Sequence, residues 1–387
     1  MKKLIIPLLL LLLLAGCGQP APEPEIPTFL SEPTPATQMQ TDPPTEPPTE
    51  PPTDPLEEMI GAMSAEEKVG QLFLARYDRG NAADHVGHYH PGGWILFSGD
   101  FRDATPASIR TELDTLQALS SIPMLMAVDE EGGTVTRVSR YAAFRDRKFP
   151  SPRSLYRDGG QGLLLDTEAE KCELLASLGL NVNVGPVCDI TTDRSAFMYS
   201  RSLGQDPETT GQLIAAMVAT MREHRIGSVL KHFPGYGNNA DTHVGIARDS
   251  RALDALEAAD LVPFQAGIDA GADAILVSHT IVEALDDTLP ASLSPVVIAY
   301  LREEMGFDGV VMTDDLVMQA ITDTYGAGEA AVMAVQAGND LLCASEYVTQ
   351  YEAVLAAVAD GRIPMERIDE AVYRVLRWKQ ALGLLDS

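Results

Sequence analysis

The stretch Lys231-His232-Phe233-Pro234-Gly235-Tyr236-Gly237-Asn238-Asn239-Ala240-Asp241-Thr242-His243 holds residue types suited to proton transfer. It follows the apolar run Gly227-Ser228-Val229-Leu230, which reads as a short buried strand. Lys231 and His232 therefore emerge at the strand's C-terminal end. Pro234, Gly235, Gly237, Asn238 and Asn239 favour turns, which predicts a loop. Asp241 and His243 lie two apart at its far end. In an extended segment that spacing puts both side chains on one side, where the carboxylate can hold one imidazole nitrogen. A histidine so held is oriented for acid–base work near neutral pH. Taken alone, Asp-x-His in a polar loop reads equally as a solvated loop.

Other candidates follow other apolar runs. Asp129-Glu130-Glu131-Gly132-Gly133 and then Arg137 come after 123–128, and Arg201-Ser202-Leu203-Gly204 comes after 180–187. Ser278-His279 follows 272–277, and Thr313-Asp314-Asp315-Leu316 follows 309–312. Asp129 and Asp314 suit a reacting or ligand-holding carboxylate, or a helix cap. Asp315 is read as that cap. Arg137 and Arg201 suit ligand contacts or surface ion pairs. His279 is read as a structural hydrogen-bonder near the site, and His85, His88 and His90 as loop residues.

A fold must bring these positions together. Short apolar runs fall at 71–75, 93–97, 123–128, 180–187, 227–230, 272–277, 309–312 and 340–343. Most are followed by longer segments with helical spacing. Ser64-x-x-Glu67 forms a capping box. Ser294-Pro295 supplies a cap and an N1 proline. Ile368, Val372, Val375 and Leu376 share one face of the last helix. Strands alternating with helices, with no Gly-x-Gly-x-x-Gly fingerprint, predict an α/β fold of the (β/α)8 barrel type. The candidates then gather at the C-terminal ends of its strands.

The segment from Lys231 to His243 resembles the KHFPGHG…D-S/T-H signature of family 3 glycoside hydrolases, in their β-N-acetylhexosaminidase branch. The other strand-end motifs resemble that family's D-Q-E-G-G-x-V-x-R, R-S-F-G and S-D-D-L, in the family's order and over nearly all of 57–387. Three departures stand out. Tyr236 replaces a histidine, Glu130 replaces a glutamine, and the loop runs about one residue short. The resemblance implies a retaining exo-β-N-acetylglucosaminidase with Asp314 as nucleophile and His243, held by Asp241, as acid/base. Asp129, Arg137, Arg201, Lys231 and His232 would grip the sugar. It implies no cofactor and no metal, and a carbohydrate substrate of peptidoglycan or chitin type. A neutral base would also tolerate phosphate as acceptor. The alternatives are a family 3 β-glucosidase or xylosidase, a GlcNAc phosphorylase, a metal-dependent amidohydrolase and a non-catalytic sugar-binding lipoprotein. The amidohydrolase would need His-x-His where the first strand leads into Ala75-Arg76-Tyr77-Asp78.

Residues 1–17 read as a lipoprotein signal. Lys2 and Lys3 precede an apolar core, and Leu14-Ala15-Gly16-Cys17 matches a lipobox whose Cys17 takes the lipid. Residues 18–55 hold 13 of the 26 prolines and no Lys or Arg, which predicts a disordered Pro/Thr/Glu-rich stalk before the catalytic barrel of 56–387. The expectation is an extracytoplasmic monomer whose only membrane contact is its lipid anchor. The formal charge of −28, about −23 of it on 56–387, offers no basic stripe and argues against nucleic acid as partner. Beyond Cys17, three cysteines remain, Cys172, Cys188 and Cys343, without metal-ligand spacing. They are expected to be buried thiols. Cys17→Ser should release the protein from membranes or block its processing while leaving its activity on a soluble glycoside unchanged. Fractionation and an activity assay check both, and continued sedimentation of active mutant with membranes would contradict the anchor.

Overall fold

The structure is a computed structural model that describes residues 54–191, 193–237 and 245–386. The predicted loop pair Asp241 and His243, the anchor Cys17 and nearly all of the stalk lie outside the described residues.

Eight parallel strands form one sheet: β1 Phe73–Arg76, β2 Gly93–Leu96, β3 Leu125–Val128, β4 Val182–Asn183, β5 Gly227–Phe233, β6 Ala274–Val277, β7 Val310–Thr313 and β8 Leu342–Ala344. Their order is β8-β1-β2-β3-β4-β5-β6-β7. A parallel bridge from Met312 to Leu341 joins β7 back to the approach of β8, so the sheet closes. Helices lie between successive strands, including α1 Pro55–Ala62 and α2 Ala65–Gln71 before β1, α3 Ala82–Tyr89, α4 Pro106–Leu119, α5 Pro152–Ser177 and α6 Pro207–Glu223. The expected (β/α)8 barrel is the fold.

Side chains on a strand alternate faces, and two apolar layers follow from that. Leu74, Ile95, Leu125, Ala127, Val229, Ala274, Leu276, Val310, Met312 and Cys343 pack together inside the barrel. Their neighbours Phe73, Trp94, Leu96, Met126, Val128 and Leu342 pack outward beneath helices. Stepping two residues on from the inner layer gives Arg76, Phe97, Asp129, Lys231, Asp314 and Ser345, all of which line one cavity. Six of the eight strands thus carry apolar inward positions low in the barrel and a polar or aromatic one at the C-terminal mouth, while β4 and β6 present Val184 and Leu276 to the cavity.

The predicted caps form. Ser64 and Glu67 make a reciprocal capping box, and the Ser294 hydroxyl accepts from Val297 N at 3.3 Å. Ile368, Val372, Val375 and Leu376 are buried on the last helix, Met365–Ala381. From that helix Trp378 and Leu382 join the inner layer and floor the barrel. Gly227 makes room for them, since a Cβ there would lie 2.8 Å from the Trp378 ring.

Several boundaries differ from expectation. Gln71 ends α2, and β1 starts at Phe73, because the Gln71 side chain is buried between the His90 carbonyl (2.9 Å) and Lys379 Nζ (2.6 Å). The fourth strand shortens to Val182–Asn183, because Pro186 has no N–H to offer a ladder. β5 runs on through Lys231 and His232 to Phe233; both polar side chains have partners that let them be buried. His85 and His88 sit on α3, and His90 is its left-handed C-cap, so none belongs to an irregular loop. Their Ala-rich surroundings and the packing of α3 near Tyr347 favour helix there.

Lys379 is fully buried, and its Nζ bonds Gln71 Oε1. Burial pushes its ammonium down to about 7, against about 10.4 for an exposed lysine. Between those values the unfolded chain binds a proton that the folded chain does not, so this residue makes stability rise with pH across the window. Below it the full desolvation penalty is present. The unfolding free energy should therefore climb between pH 7 and about pH 10, and Lys379→Met should flatten that climb and stabilise the protein at pH 7. Denaturant titrations at several pH values test this. An equal slope in wild type and mutant would show that Lys379 stays charged when buried.

Candidate active site

The cavity at the strands' C-terminal mouth has a volume of about 1090 Å³. Asp129, Arg137, Arg201, Lys231, His232 and Asp314 all line it. Of the residues singled out by sequence for the site, these six are brought together; Asp241, His243 and Cys17 lie outside the described residues.

The floor is a chain of alternating charges. Lys231 Nζ lies 2.7 Å from Asp129 Oδ1 and 2.7 Å from Glu131 Oε1. Glu131 receives Arg201 Nε at 2.9 Å and Nη2 at 2.7 Å, a two-pronged pair. Asp129 faces Arg137 Nη2 at 3.4 Å. Arg201 Nη2 lies 3.1 Å from His232 Nε2. A guanidinium only donates, so this Nε2 is the acceptor and the imidazole proton sits on Nδ1. That proton goes to Asp189 Oδ2 at 2.7 Å. Asp189 also accepts from His232 N at 3.1 Å and Tyr236 N at 2.7 Å. Both ring nitrogens of His232 are thereby occupied. An ammonium has three protons to donate, and two of Lys231's are met by these carboxylates.

Burial and charge act against each other here. Burial pushes the Glu131 carboxyl up, but Lys231 and Arg201 outweigh it and hold the group well below the usual carboxylate range. Asp129 is likewise pushed up by burial and then brought below its ordinary value by Lys231 and Arg137. Burial lowers Lys231, and its two carboxylates overcome that and raise it. The three groups stay ionised together because Lys231 is the shared counter-charge of the two carboxylates and outweighs their mutual repulsion.

The local backbone explains how the loop after β3 reaches into the site. Gly132 and Gly133 have φ of 104° and 66°, and a Cβ on Gly132 would lie 2.3 Å from the Pro150 carbonyl oxygen. Glu130 is fully buried. Its carboxylate accepts from Arg137 N and Val138 N, each at 2.7 Å, and from the Ser139 hydroxyl. It therefore holds the returning segment that carries Arg137. Neither of the neighbouring glutamates suits proton donation: Glu131 is kept ionised, and the Glu130 oxygens are taken by donors. Arg137 and Arg201 are pocket residues with acidic partners, not surface ion-pair partners.

Asp314 differs from the other carboxylates. It follows β7, is half-buried, and its carboxylate accepts from the next backbone N–H, Asp315 N, at 2.9 Å. No cation pairs with it among the described residues. Asp315 was expected to cap a helix; the helix that follows, Gln319–Thr322, has Met318 as its N-cap. Asp315 instead accepts from Val317 N and Ser345 N, each at 3.2 Å, and from the Ser345 hydroxyl. It ties the end of β7 to the end of β8, a tertiary bond that removes its carboxylate from helix capping. His279 is fully buried, with Nδ1 2.7 Å from Ser292 Oγ and Nε2 3.0 Å from the Asp315 carbonyl, as a structural hydrogen-bonder. Tyr236 is buried edge-on to His232 at 5.2 Å and beside Phe197 at 5.8 Å. Cys172, Cys188 and Cys343 are free and buried, and Cys343 lines the cavity. No metal-holding group of His, Cys, Asp or Glu occurs among the described residues.

Glu131 and Asp189 were missed as site residues. Glu131 had a signal, its place directly after Asp129-Glu130 at a strand end. Asp189 had only its position after the fourth apolar run, with nothing to tie it to His232.

A family model described as the glycosyl hydrolase family 3 N terminal domain matches residues 64–378. A relative named beta-hexosaminidase from Alkalilimnicola ehrlichii is 33% identical over 319 residues, 76% of this chain and 88% of that one. The beta-hexosaminidase LpqI of Mycobacterium tuberculosis is 30% identical over 329 residues, 82% of this chain and 83% of its own. Among solved structures, a family 3 β-N-acetylglucosaminidase from Paenibacillus superposes with a TM-score of 0.79 at 33% identity, covering 84% of this chain. The chain spans 64% of that protein's length. The M. tuberculosis LpqI structure gives a TM-score of 0.77 at 30% identity, covering 84% of this chain and 96% of that one.

Glu131 tests the charge network. Its carboxyl is held low, so its contribution to stability is complete above its ordinary pKa of about 4.3 and fades as pH falls below that. Glu131→Gln leaves Lys231 and Arg201 buried with one counter-charge fewer, and should cost about 3–5 kcal/mol at pH 7. It should also make the acid limb of the stability curve shallower. A loss under about 1 kcal/mol at pH 7 would show that the pair is nearly neutral to folding.

Proposed function

The chain belongs to glycosyl hydrolase family 3, and from that premise we propose that this β-N-acetylhexosaminidase is a retaining exo-β-N-acetylglucosaminidase. The observation that carries the reading is the contrast among the cavity's carboxylates. Asp129 and Glu131 are locked between cations, while Asp314 faces the same cavity with no cation beside it among the described residues. A carboxylate unquenched by a counter-ion is the better nucleophile. The locked ones serve as fixed acceptors for sugar hydroxyls.

Asp314 attacks the anomeric carbon. The glycosidic C–O bond breaks as the C–O bond to Asp314 forms, and His243 gives its proton to the departing oxygen. His243, then neutral, takes a proton from water, which displaces Asp314 and frees the sugar with its configuration retained. Asp241 fixes the tautomer of His243 and stabilises its charged form, as the aspartate does in a serine-protease triad. Asp129, Arg137, Arg201 and Lys231 hold the non-reducing sugar by charged, directional bonds, with His232 steadying Arg201. The reading extends to a lipid-anchored enzyme outside the cytoplasm, supported by the Cys17 lipobox and the proline-rich segment after it.

Asp314→Ala should lose nearly all turnover while staying folded, and a 2-fluoro-sugar inactivator should label Asp314 of the wild type. Mass spectrometry finding the label on Asp315 or Asp129 would overturn the assignment. His243→Ala should slow poor leaving groups most, and azide should restore turnover on an activated aryl glycoside, giving a glycosyl azide. Equal slowing of good and poor leaving groups, with no rescue, would make His243 a binding residue.

A further inference from the structure

We propose that Asp189 is a positioning residue of the site: it fixes the His232 ring with its proton on Nδ1, so that Nε2 takes an N–H of Arg201 and holds that guanidinium facing the cavity. The proposal rests on the glycosidase reading, in which Arg201 holds the sugar, and adds to it the residue that aims Arg201.

The backbone brings Asp189 to its place. Beyond β4, Val187 bridges Lys231 in parallel, and Cys188 N gives to the Lys231 carbonyl at 2.7 Å. Asp189 therefore comes to lie against the next residue of β5, His232. It is 1% exposed, and a carboxylate so buried must have donors at its oxygens. Oδ1 takes Tyr236 N at 2.7 Å. Oδ2 takes His232 N at 3.1 Å and His232 Nδ1 at 2.7 Å. A carboxylate whose two oxygens both receive backbone N–H groups is an acceptor, and the Nδ1 that faces it carries the ring proton. The Tyr236 ring stands across the imidazole, 5.2 Å between centres and 87° between planes, and packs it in place.

The consequence falls on Arg201. A guanidinium has five N–H bonds and no acceptor. Nε and one N–H of Nη2 go to Glu131, at 2.9 and 2.7 Å. The second N–H of Nη2 meets His232 Nε2 at 3.1 Å. Nη1 meets the Met198 sulfur, a weak acceptor, at 3.5 Å. Among the described residues one N–H of Nη1 remains for a ligand, and Arg201 lines the cavity. The direction of that bond is set by the other four. With the ring proton on Nε2 instead, two donors would meet at 3.1 Å, and Arg201 would have to turn from Glu131 or from His232. Glu131 fixes the guanidinium along one edge, and His232 fixes it from a second side. Asp189 thus acts on a bound sugar through two other side chains.

The test uses the full-length chain, isotope-labelled at its histidine nitrogens, and an activated aryl β-N-acetylglucosaminide. The His232 signals are those missing from His232→Ala. Nitrogen NMR at neutral pH should find His232 protonated on Nδ1 and bare on Nε2. In Asp189→Ala that pattern should be lost, and kcat/KM should fall about tenfold. The fall should come mostly through KM, because Arg201 meets the sugar before the chemistry. In a His232→Ala background the same Asp189→Ala change should cost less than about twofold, because the ring it acts through is gone. Asp189→Asn, which keeps one oxygen for the ring, should fall between wild type and Asp189→Ala. A proton on Nε2 in the wild type overturns the proposal. So does an Asp189→Ala loss of equal size in both backgrounds, which would make Asp189 a support of the backbone at 232 and 236 alone. If Asp189→Ala does not fold, Asp189→Asn carries the same cycle and the wild-type spectrum decides the tautomer. If the wild type cleaves no β-N-acetylglucosaminide, the glycosidase reading fails, while the spectra still decide whether Asp189 sets the ring.

Discussion

Lys231 is the point on which the site depends. A buried ammonium is costly unless its counter-charges come with it, and here Asp129 from the end of β3 and Glu131 from the following loop both reach it at 2.7 Å. Glu131 then fixes Arg201, Arg201 reads the tautomer of His232, and His232 is tied to Asp189 beyond β4. Elements far apart in sequence, from 129 to 232, are cross-linked by one line of charges. Each member is held from two sides, so the polar groups of the cavity are oriented before any ligand arrives. Preorganisation of this kind avoids reordering polar groups at the moment of reaction.

Much of this was legible in the chain. The eight apolar runs mark the eight strands, and strand-end placement brought Asp129, Arg137, Arg201, Lys231, His232 and Asp314 to one cavity. The reason is the two-residue period of a strand: once Leu74, Ile95, Ala127, Val229 and Met312 point inward, their successors must point into the mouth. Partnership was not legible. Nothing in the sequence tells Asp315 to clasp Ser345 instead of a helix terminus, because that bond exists only after β7 and β8 are brought side by side. Asp189 was silent for the same reason. The histidines of α3 were misread because polar residues near glycines resemble a loop until tertiary packing against Tyr347 and Tyr351 favours helix.

Glu130 shows how a departure from a family pattern can be absorbed. A glutamine has one acceptor oxygen, whereas the carboxylate of Glu130 has two, and both are used: one by Arg137 N and Val138 N, the other by Ser139. The extra charge is met by backbone dipoles and a hydroxyl, not by a cation. Glu130 thus adds nothing to the pairing of Lys231 or Arg201, and the line of alternating charges is undisturbed.

The shortness of β4 does not loosen the barrel. Only Val182 and Asn183 count as strand, yet backbone bonds run on past them: Val184 N gives to the Val128 carbonyl, Val229 N and Lys231 N to the carbonyls of Gly185 and Pro186, and Cys188 N to that of Lys231. Asn183 takes Glu130 N at 2.9 Å and gives its amide to the Glu130 carbonyl at 3.3 Å, and Asp189 gathers two backbone N–H groups of the chain leaving β5. A seam held at once by backbone bonds and by buried side chains opens only when several of them let go together, so this sector belongs with the slowly exchanging core of the barrel and not with its loops.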